Sequence, residues 1–339
     1  MLIQSLLLLS GLGLILIAAE FFTNGIEEFG RHFSFSQAVV GSIFAAIGTA
    51  LPETILPCVA IFLYGGAAAK QIGVGAILGA PFMLSTLAFF LVGITASVSA
   101  LKKKRRFELL AETPSVKRDL VFFLAMYSVA IFVPLAAGKS LHMPVSLLLI
   151  AMYGVYAYMT FRGESAEMEH SEGMYFWRVL RSISSSSHRH RPPLFMILLQ
   201  VGTALAVMIK GAHMFVHSLE RVAATLGMDP LLFSLLLAPV ATELPEKFNS
   251  ITWTWKGRDT LALGNISGAM VFQSTFPVSV GLIFTDWQIT GMALFSAILA
   301  IASAMTILGM TMVQKRVSPL AVLFGGVLYL LYAVVLVLS

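Results

Sequence analysis

The sequence predicts an all-α polytopic membrane protein in which ten transmembrane helices form two inverted-topology repeats of five helices each. Three observations lead to this prediction: the composition is strongly apolar, ten long apolar stretches follow one another, and a short motif occurs once in each half. Of 339 residues, 58% are hydrophobic and only 12% are charged, and the mean hydropathy is +0.88. This composition is too apolar for a soluble fold of the same length.

The apolar stretches are long enough to cross a bilayer, because a spanning helix needs about 20 mainly apolar residues. A helix also satisfies its own backbone amides, as hydrocarbon requires. The first stretch lacks the basic n-region of a signal peptide, so we expect it to remain in the mature protein. The ten predicted spans are 2–23, 36–64, 71–100, 119–137, 143–161, 193–217, 229–255, 260–284, 288–312 and 317–338.

Loop charges predict the orientation. Alternation of the spans collects 17 of the 22 Lys and Arg residues on one side, including the run "KKKRR" at 102–106. Because cytoplasmic loops retain positive charge, both termini are predicted to lie outside an integral protein of a prokaryotic cytoplasmic membrane. The excess of Lys and Arg over Asp and Glu is explained by this topology, so no nucleic-acid partner is expected. The expected partners are membrane lipid and small inorganic cations. The oligomeric state does not follow from the sequence.

The longest connection divides the chain into three predicted parts: a first repeat at 1–161, a cytoplasmic linker at 162–192 and a second repeat at 193–339. His188 and His190 in the linker allow two interpretations, a metal-sensing loop or a solvated connection. The second is favoured, because no Cys or acidic residue has metal-ligand spacing there.

An internal repeat carries the main functional signal. The first half reads "GTALPE" at 48–53 and the second reads "ATELPE" at 241–246. An offset of 193 residues aligns Thr49 with Thr242 and Glu53 with Glu246. Five spans per half is an odd number, so the second half enters the membrane in the opposite sense, and such repeats place a binding site near the midplane.

Proline and glutamate together inside a span need a physical explanation. Proline removes a helical hydrogen bond, so both motif helices are expected to break or unwind at membrane depth. A carboxylate there is costly unless it is paired, and a bound cation pairs it. Calcium takes about six to eight oxygen ligands, which matches the oxygens of the two Thr–Glu pairs. One such pair alone would indicate a kink with a cavity-facing acid; two at matching positions favour a cation site.

A second repeated segment follows the motif in each half. The stretch "VGAILGAPFMLST" at 74–86 lies over "LGNISGAMVFQST" at 263–275. Glycines four residues apart allow close helix packing, which explains the shared glycines without a further function. The polar residues Asn265, Ser267 and Gln273 occur only in the second half, so the halves are not equivalent here.

These paired motifs resemble the calcium/cation antiporter superfamily, and most closely its sodium/calcium exchanger branch. That family carries G-T-S-x-P-E followed by G-N-x-x-G-S-N in each inverted repeat, and the resemblance covers essentially the whole chain. It implies Glu53 and Glu246 as central calcium ligands, with oxygen donors at Thr49 and Thr242 and an amide ligand at Asn265.

The chain also departs from the family pattern. The signature serine is replaced by Ala50 in the first half and Glu243 in the second, and the first asparagine by Ala76. These changes remove oxygen ligands of flanking sodium sites and count against three-sodium coupling. Glu243 and Lys247 stand one helical turn apart and are expected to pair as a charge-compensating or coupling element. In the competing arrangement Lys247 points towards lipid, and Glu243 is an additional cation ligand.

The predicted function is a secondary antiporter, not an enzyme, that moves calcium or a related divalent cation in exchange for protons or sodium by alternating access. No cofactor is expected. The alternative is a degenerate exchanger-like protein that binds or senses cations without coupled transport. An intramembrane hydrolase is disfavoured, because His213 and His217 stand one turn apart without an acid at a zinc-protease position.

Overall fold

A computed structural model of the chain describes residues 2–33, 45–102, 106–163, 174–177 and 192–338, and the secondary structure of these ranges is helical throughout. The helices are α1 Leu2–His32, α2 Ala45–Cys58, α3 Ala67–Met83, α4 Phe89–Leu101, α5 Thr113–Ala137, α6 His142–Gly163, α7 Leu194–Leu226, α8 Pro230–Thr242, α9 Leu244–Trp255, α10 Asp259–Gln273, α11 Phe276–Phe284, α12 Gly291–Gln314 and α13 Pro319–Leu338. Three shorter helical pieces connect them: π-helices at Val59–Tyr64 and Leu84–Ala88, and a 3-10 helix at Gly138–Leu141.

The chain is an integral membrane protein. Within the described residues, seven helical stretches are long and apolar enough to cross a membrane. Large apolar side chains remain exposed along several helices, such as Leu198 on α7 and Leu330 on α13. Soluble proteins rarely expose extended apolar faces of this kind to water, whereas a membrane protein exposes them to lipid. The predicted all-helical membrane fold is therefore confirmed at this level.

Three helices begin or end well outside the predicted spans. The sixth span was predicted to end at residue 217, but α7 continues to Leu226. The first was predicted to end at residue 23, but α1 continues to His32, where Arg31 bonds to Glu27 and Glu28 one turn earlier. Such pairs at helical spacing extend a helix beyond the apolar layer. The fourth was predicted to begin at residue 119, but α5 begins at Thr113, because Pro114 is well suited to the first turn of a helix.

The two proline motifs behave differently. In the second half the predicted break is present, because α8 ends at Thr242, α9 begins at Leu244, and Glu243 lies in the turn between them. In the first half the expectation is wrong, since α2 continues through Pro52. One proline removes a single backbone donor, and a helix can bend to accommodate it. The irregularity of α2 comes later, as a π-helix directly after Pro57.

Close backbone contacts join the N-terminal and C-terminal parts of the chain. A Cβ atom on Gly75 or Gly79 of α3 would collide with the backbone of α8 at Leu231 or Leu235. The matching glycines of α10 have space, since nothing lies within 4 Å of the Cβ position of Gly264. Packing therefore explains the glycine pair of the first half and not that of the second.

The motif helices lie where two apolar clusters meet. One cluster is built mainly from α1, α3 and α7 and includes Leu56 of α2 and Ala238 of α8. The other contains most of the remaining helices and includes Leu235 and Ile266. Because α8 contributes to both clusters, the polar motif at its C-terminal end is enclosed by apolar residues from both sides. This enclosure removes water from the motif side chains.

We predict that Gly79→Ala destabilises the protein, whereas the matched change Gly268→Ala does not. The new Cβ on Gly79 would meet the Leu235 carbonyl and the Pro239 ring, and overpacking of this kind costs about 1–3 kcal/mol. The Cβ on Gly268 would have its nearest neighbour at 3.6 Å, an ordinary contact, and alanine favours helix by about 1 kcal/mol. Thermal unfolding in detergent measures both, and equal melting temperatures would contradict the close α3–α8 crossing.

Candidate cation-binding site

Four ionisable side chains are buried together where the motif helices meet. Glu53 is 6% exposed, Glu243 is fully buried, Glu246 is 5% exposed and Lys247 is 6% exposed. Glu53 comes from α2, Glu243 from the turn between α8 and α9, and the other two from the first turns of α9. Ionisable groups at this depth are costly unless they pair with each other or with an ion.

Several carboxylate oxygens in this cluster lack donors. Both oxygens of Glu53 are buried and accept no hydrogen bond from any other residue that the structure describes. The same holds for Oε2 of Glu246 and Oε1 of Glu243. A buried acceptor without a donor is unfavourable. Carboxylate oxygens are also the ligands that hard cations such as calcium prefer, so these atoms are suited to holding one.

The two motif glutamates belong to one site although 193 residues separate them in the sequence. Glu53 lies close enough to Glu246, Glu243 and Lys247 for their charges to affect one another. The helices agree with this, because α2 contacts both α8 and α10. Two like charges in an enclosed apolar region repel strongly, and a cation between them removes the repulsion.

The expected pair between Glu243 and Lys247 is present. Nζ of Lys247 lies 2.6 Å from Oε2 of Glu243 and donates a second hydrogen bond, of 3.2 Å, to the carbonyl of Pro239. The lysine side chain therefore folds back across the helix break and does not point towards lipid. Three carboxylates against one ammonium leave this buried cluster with two formal negative charges.

Two residues next to the motif glutamates, one in sequence and one by a backbone contact, carry neutral side-chain oxygens. Asn265 donates from Nδ2 to the Glu246 carbonyl and to Oγ of Ser250, both at 3.1 Å, which leaves its Oδ1 as an acceptor. The Thr242 hydroxyl is buried and donates to the Ala238 carbonyl, so its oxygen retains accepting capacity. Thr49 lies in α2, but its side chain is outside the described part of the chain.

Other candidates from the sequence lie elsewhere. Glu20 and Lys210 are exposed, and Glu20 accepts a hydrogen bond from the Tyr175 hydroxyl of the linker. His217 is bonded to the Tyr64 hydroxyl at 2.6 Å. Among the described residues, no three His, Cys, Asp or Glu side chains come close enough together to ligate one metal ion, and this includes Glu53, Glu243 and Glu246. His188 and His190 lie outside the described residues.

A family comparison decides the class of protein. The family model for sodium/calcium exchanger proteins matches residues 3–162 and 196–339. The chain belongs to this family. A membrane protein of Methanocaldococcus jannaschii, itself uncharacterised, is 24% identical over 275 residues, which cover 80% of each chain. Proteins of the exchanger family are transporters that exchange cations and are not enzymes, as the sequence predicted.

Two solved structures share the fold. A structure of the H+/Ca2+ exchanger CAX has a TM-score of 0.69 and 19% sequence identity, and the alignment covers 98% of this chain and 82% of the CAX chain. A structure of the sodium-calcium exchanger NCX_Mj has a TM-score of 0.58 and 18% sequence identity, and the alignment covers 98% of this chain and 99% of the NCX_Mj chain. Both likenesses extend over nearly the full length of the chain.

The exchanger chain contains a further buried acid that the sequence prediction missed. Asp119 of α5 is 2% exposed and accepts hydrogen bonds from Ser267 at 2.6 Å, Tyr156 at 3.1 Å and Arg118 at 3.0 Å. It was assigned to the edge of a loop because the span was predicted to begin at residue 119. The Thr-Pro pair at 113–114 is a helix start signal that places Asp119 inside the helix.

We predict that Lys247→Met destabilises the calcium-free protein by about 3–5 kcal/mol, because it leaves the Glu243 carboxylate buried without its cation. The double variant Lys247→Met/Glu243→Gln removes both charges and is expected to recover most of this loss. Thermal unfolding in calcium-free detergent measures the effect. A double variant no more stable than Lys247→Met would show that the pair does not hold the helix break together.

Proposed function

We propose that this chain is an antiporter that carries calcium, or a related divalent cation, in exchange for protons by alternating access. The observation that carries the proposal is the buried pair of glutamates, Glu53 and Glu246: among the described residues, no donor reaches either oxygen of Glu53 or Oε2 of Glu246. In the proposed site these two residues are the central metal ligands. The hydroxyls of Thr49 and Thr242 and the amide oxygen of Asn265 complete the oxygen shell.

The charge of the site favours a divalent cation. Glu53, Glu243 and Glu246 together with Lys247 carry two net formal negative charges in an enclosed region. One calcium ion neutralises this charge, and so do two protons on the carboxylates. Leaving the site unneutralised is costly, because charge buried in a medium of low dielectric constant is poorly solvated. We therefore expect the site to switch between facing one side of the membrane and facing the other only when it holds one calcium ion or two protons. This condition couples calcium transport in one direction to proton transport in the other.

The same residues favour protons over sodium as the counter-ion. Sodium needs several oxygen ligands, and Ala50 and Ala76 provide none from their side chains. In the second half, the Lys247 ammonium is already hydrogen-bonded to the Glu243 carboxylate and to the Pro239 carbonyl at the helix break. A fixed ammonium thus stands where a sodium ion would find its ligands. The similar structures include both a proton-coupled and a sodium-coupled exchanger by name, so the counter-ion must be argued from the site.

We further propose ten membrane passes arranged as two inverted repeats, at 1–161 and 193–339, joined by a cytoplasmic linker at 162–192, with both termini outside. The seven long stretches include 113–160, which at about 1.5 Å per residue is long enough for two passes and turns at Gly138. The remaining two passes contain the shorter apolar helices Leu51–Tyr64 and Pro230–Val240. Each pass is completed by adjoining helix: α2 begins at Ala45, and α9 continues from the break at Glu243 to Trp255. The family match in two stretches agrees with these boundaries.

Matching side-chain bonds support the repeat. Ser85 and Thr86 both donate to the carbonyl of Phe82, and this site lies in the π-helix that follows α3. At an offset of 189 residues, the pair Ser274 and Thr275 donates in the same way to the Val271 carbonyl, where α10 ends. Both helices thus lose regular α-geometry at corresponding positions of the two proposed repeats, α3 by passing into a π-helix and α10 by ending.

We predict that Glu53→Gln or Glu246→Gln abolishes calcium binding, because each change removes formal negative charge from a site that excludes water. Glu112→Gln is the matched control, since Glu112 is an exposed glutamate before α5. Binding of labelled calcium to purified protein measures the effect. Unchanged calcium affinity in either site variant would refute the site assignment.

We predict that an outward proton gradient drives calcium uptake into proteoliposomes without sodium, and that an imposed membrane potential leaves the rate unchanged. Exchange of two protons for one calcium ion moves no net charge. Lys247→Thr removes the fixed ammonium, so its uptake is expected to depend on potential or on added sodium, whereas Lys210→Thr, at an exposed lysine, behaves as wild type. Uptake driven by a sodium gradient at fixed pH, and unaffected by a proton gradient, would rule out proton coupling.

A second candidate function rests on the buried Lys247. A permanent cation in the site weakens calcium binding by repulsion, and a protein that only binds or senses cations can retain such a group. The flux experiment separates the two functions. Calcium binding that depends on Glu53 and Glu246, combined with no uptake under any imposed gradient, would favour the sensor over the antiporter.

A further inference from the structure

Polar contacts hold α10 on two different faces. Asn265 bonds to the Glu246 carbonyl and to Ser250 of α9. Ser267 stands two residues further, about 200° around the helix axis, and bonds to Asp119 of α5. The residue between them, Ile266, is fully buried in the apolar core. The helix that carries Asn265 is thus attached by a polar bond on either side of its axis.

The Asp119 contact is strong by geometry. The Ser267 hydroxyl lies 2.6 Å from Oδ2 of Asp119, a length typical of a hydroxyl bonded to an ionised carboxylate. The other oxygen, Oδ1, accepts from the Tyr156 hydroxyl and from the Arg118 guanidinium. Arg118 also lies over the Tyr156 ring, with 5.5 Å between its Cζ atom and the ring centroid. Oδ1 therefore fixes the carboxylate to α5 and α6, and Oδ2 is the atom that reaches α10.

We propose that Asp119 is a positioning residue that acts through Ser267: it sets the rotation of α10 about its axis and thereby places Asn265 beside Glu246. The inference rests on the proposed function, because it gives Asn265 a part in cation binding. Asp119 itself does not contact the ion. Its carboxylate orients one ligand of the site from the opposite side of the helix that carries it.

The geometry makes Asn265 sensitive to this rotation. Side-chain atoms lie about 5 Å from a helix axis, so a turn of about 20° displaces them by nearly 2 Å. Hydrogen bonds of 3.1 Å do not survive a displacement of that size. Without the Ser267 bond, α10 keeps polar contacts in its first turn, where Asp259 accepts from the Leu110 amide and Thr260 from the Glu112 amide. These contacts lie more than one turn from Asn265, whereas the Ser267 bond fixes the helix at the level of Asn265 itself.

The test compares two hydroxyl deletions on the same carboxylate. Ser267→Ala removes the bond that reaches α10, whereas Tyr156→Phe removes a bond from α6 and leaves Oδ1 bonded to Arg118. We expect Ser267→Ala and Asp119→Asn each to weaken calcium affinity on the order of tenfold, the size of one lost charge-assisted hydrogen bond. Tyr156→Phe is expected to change calcium affinity less than twofold. Ser267→Thr keeps the hydroxyl and is expected to retain the wild-type calcium affinity.

A double-variant cycle separates positioning from a loss of general stability. In an Asn265→Ala background, Ser267→Ala should have no further effect on calcium affinity, because the residue through which it acts is gone. Equal effects of Ser267→Ala and Tyr156→Phe, or a full Ser267→Ala effect without Asn265, would overturn the positioning role. The wild-type titration reports on the proposed function separately: absence of calcium binding there would refute the function itself.

Discussion

Two carboxylates buried at membrane depth, those of Glu53 and Glu246, impose the constraint on which the rest of the site depends. Their charges interact, and water that would solvate them is excluded by two apolar clusters. Such a pair is tolerated only if ions or protons neutralise it. The close crossing of α3 and α8 at Gly79, the interrupted helix at Glu243 and the attachment of Asn265 all arrange other groups around this charge.

Lys247 changes how that constraint is met. A lysine next to a divalent site is unfavourable by itself, yet its pairing with Glu243 makes the two residues a neutral unit. Lys247 also gives the Pro239 carbonyl, one turn before the helix break, a second donor beside the Glu243 backbone amide. One contact thus stabilises the break and removes one carboxylate from the charge that the proposed cation would balance. The remaining charge belongs to the two glutamates of the repeated motif.

Much of this was predictable from the sequence because apolar length and motif spacing are local properties. The paired motifs led to Glu53, Glu246 and the Glu243–Lys247 pair without any structural information. The continuity of α2 through Pro52 was not predictable, since whether a proline breaks or bends a helix depends on what packs around it. The Asp119–Ser267 contact was also not predictable, because it joins residues 148 apart that no repeat or spacing connects.

The two halves of the chain have diverged in the kind of work they do around the site. The first half contributes one carboxylate from α2 and a glycine-faced helix, α3, that lets α8 approach closely. The second half contributes the helix break, the ion pair and the attached amide of Asn265. In an exchanger with equivalent repeats, the two membrane-facing states would differ little in energy. In the proposed arrangement of inverted repeats, the polar interactions of the described residues lie mainly in the second repeat, so the two membrane-facing states would make different contacts and would differ in energy.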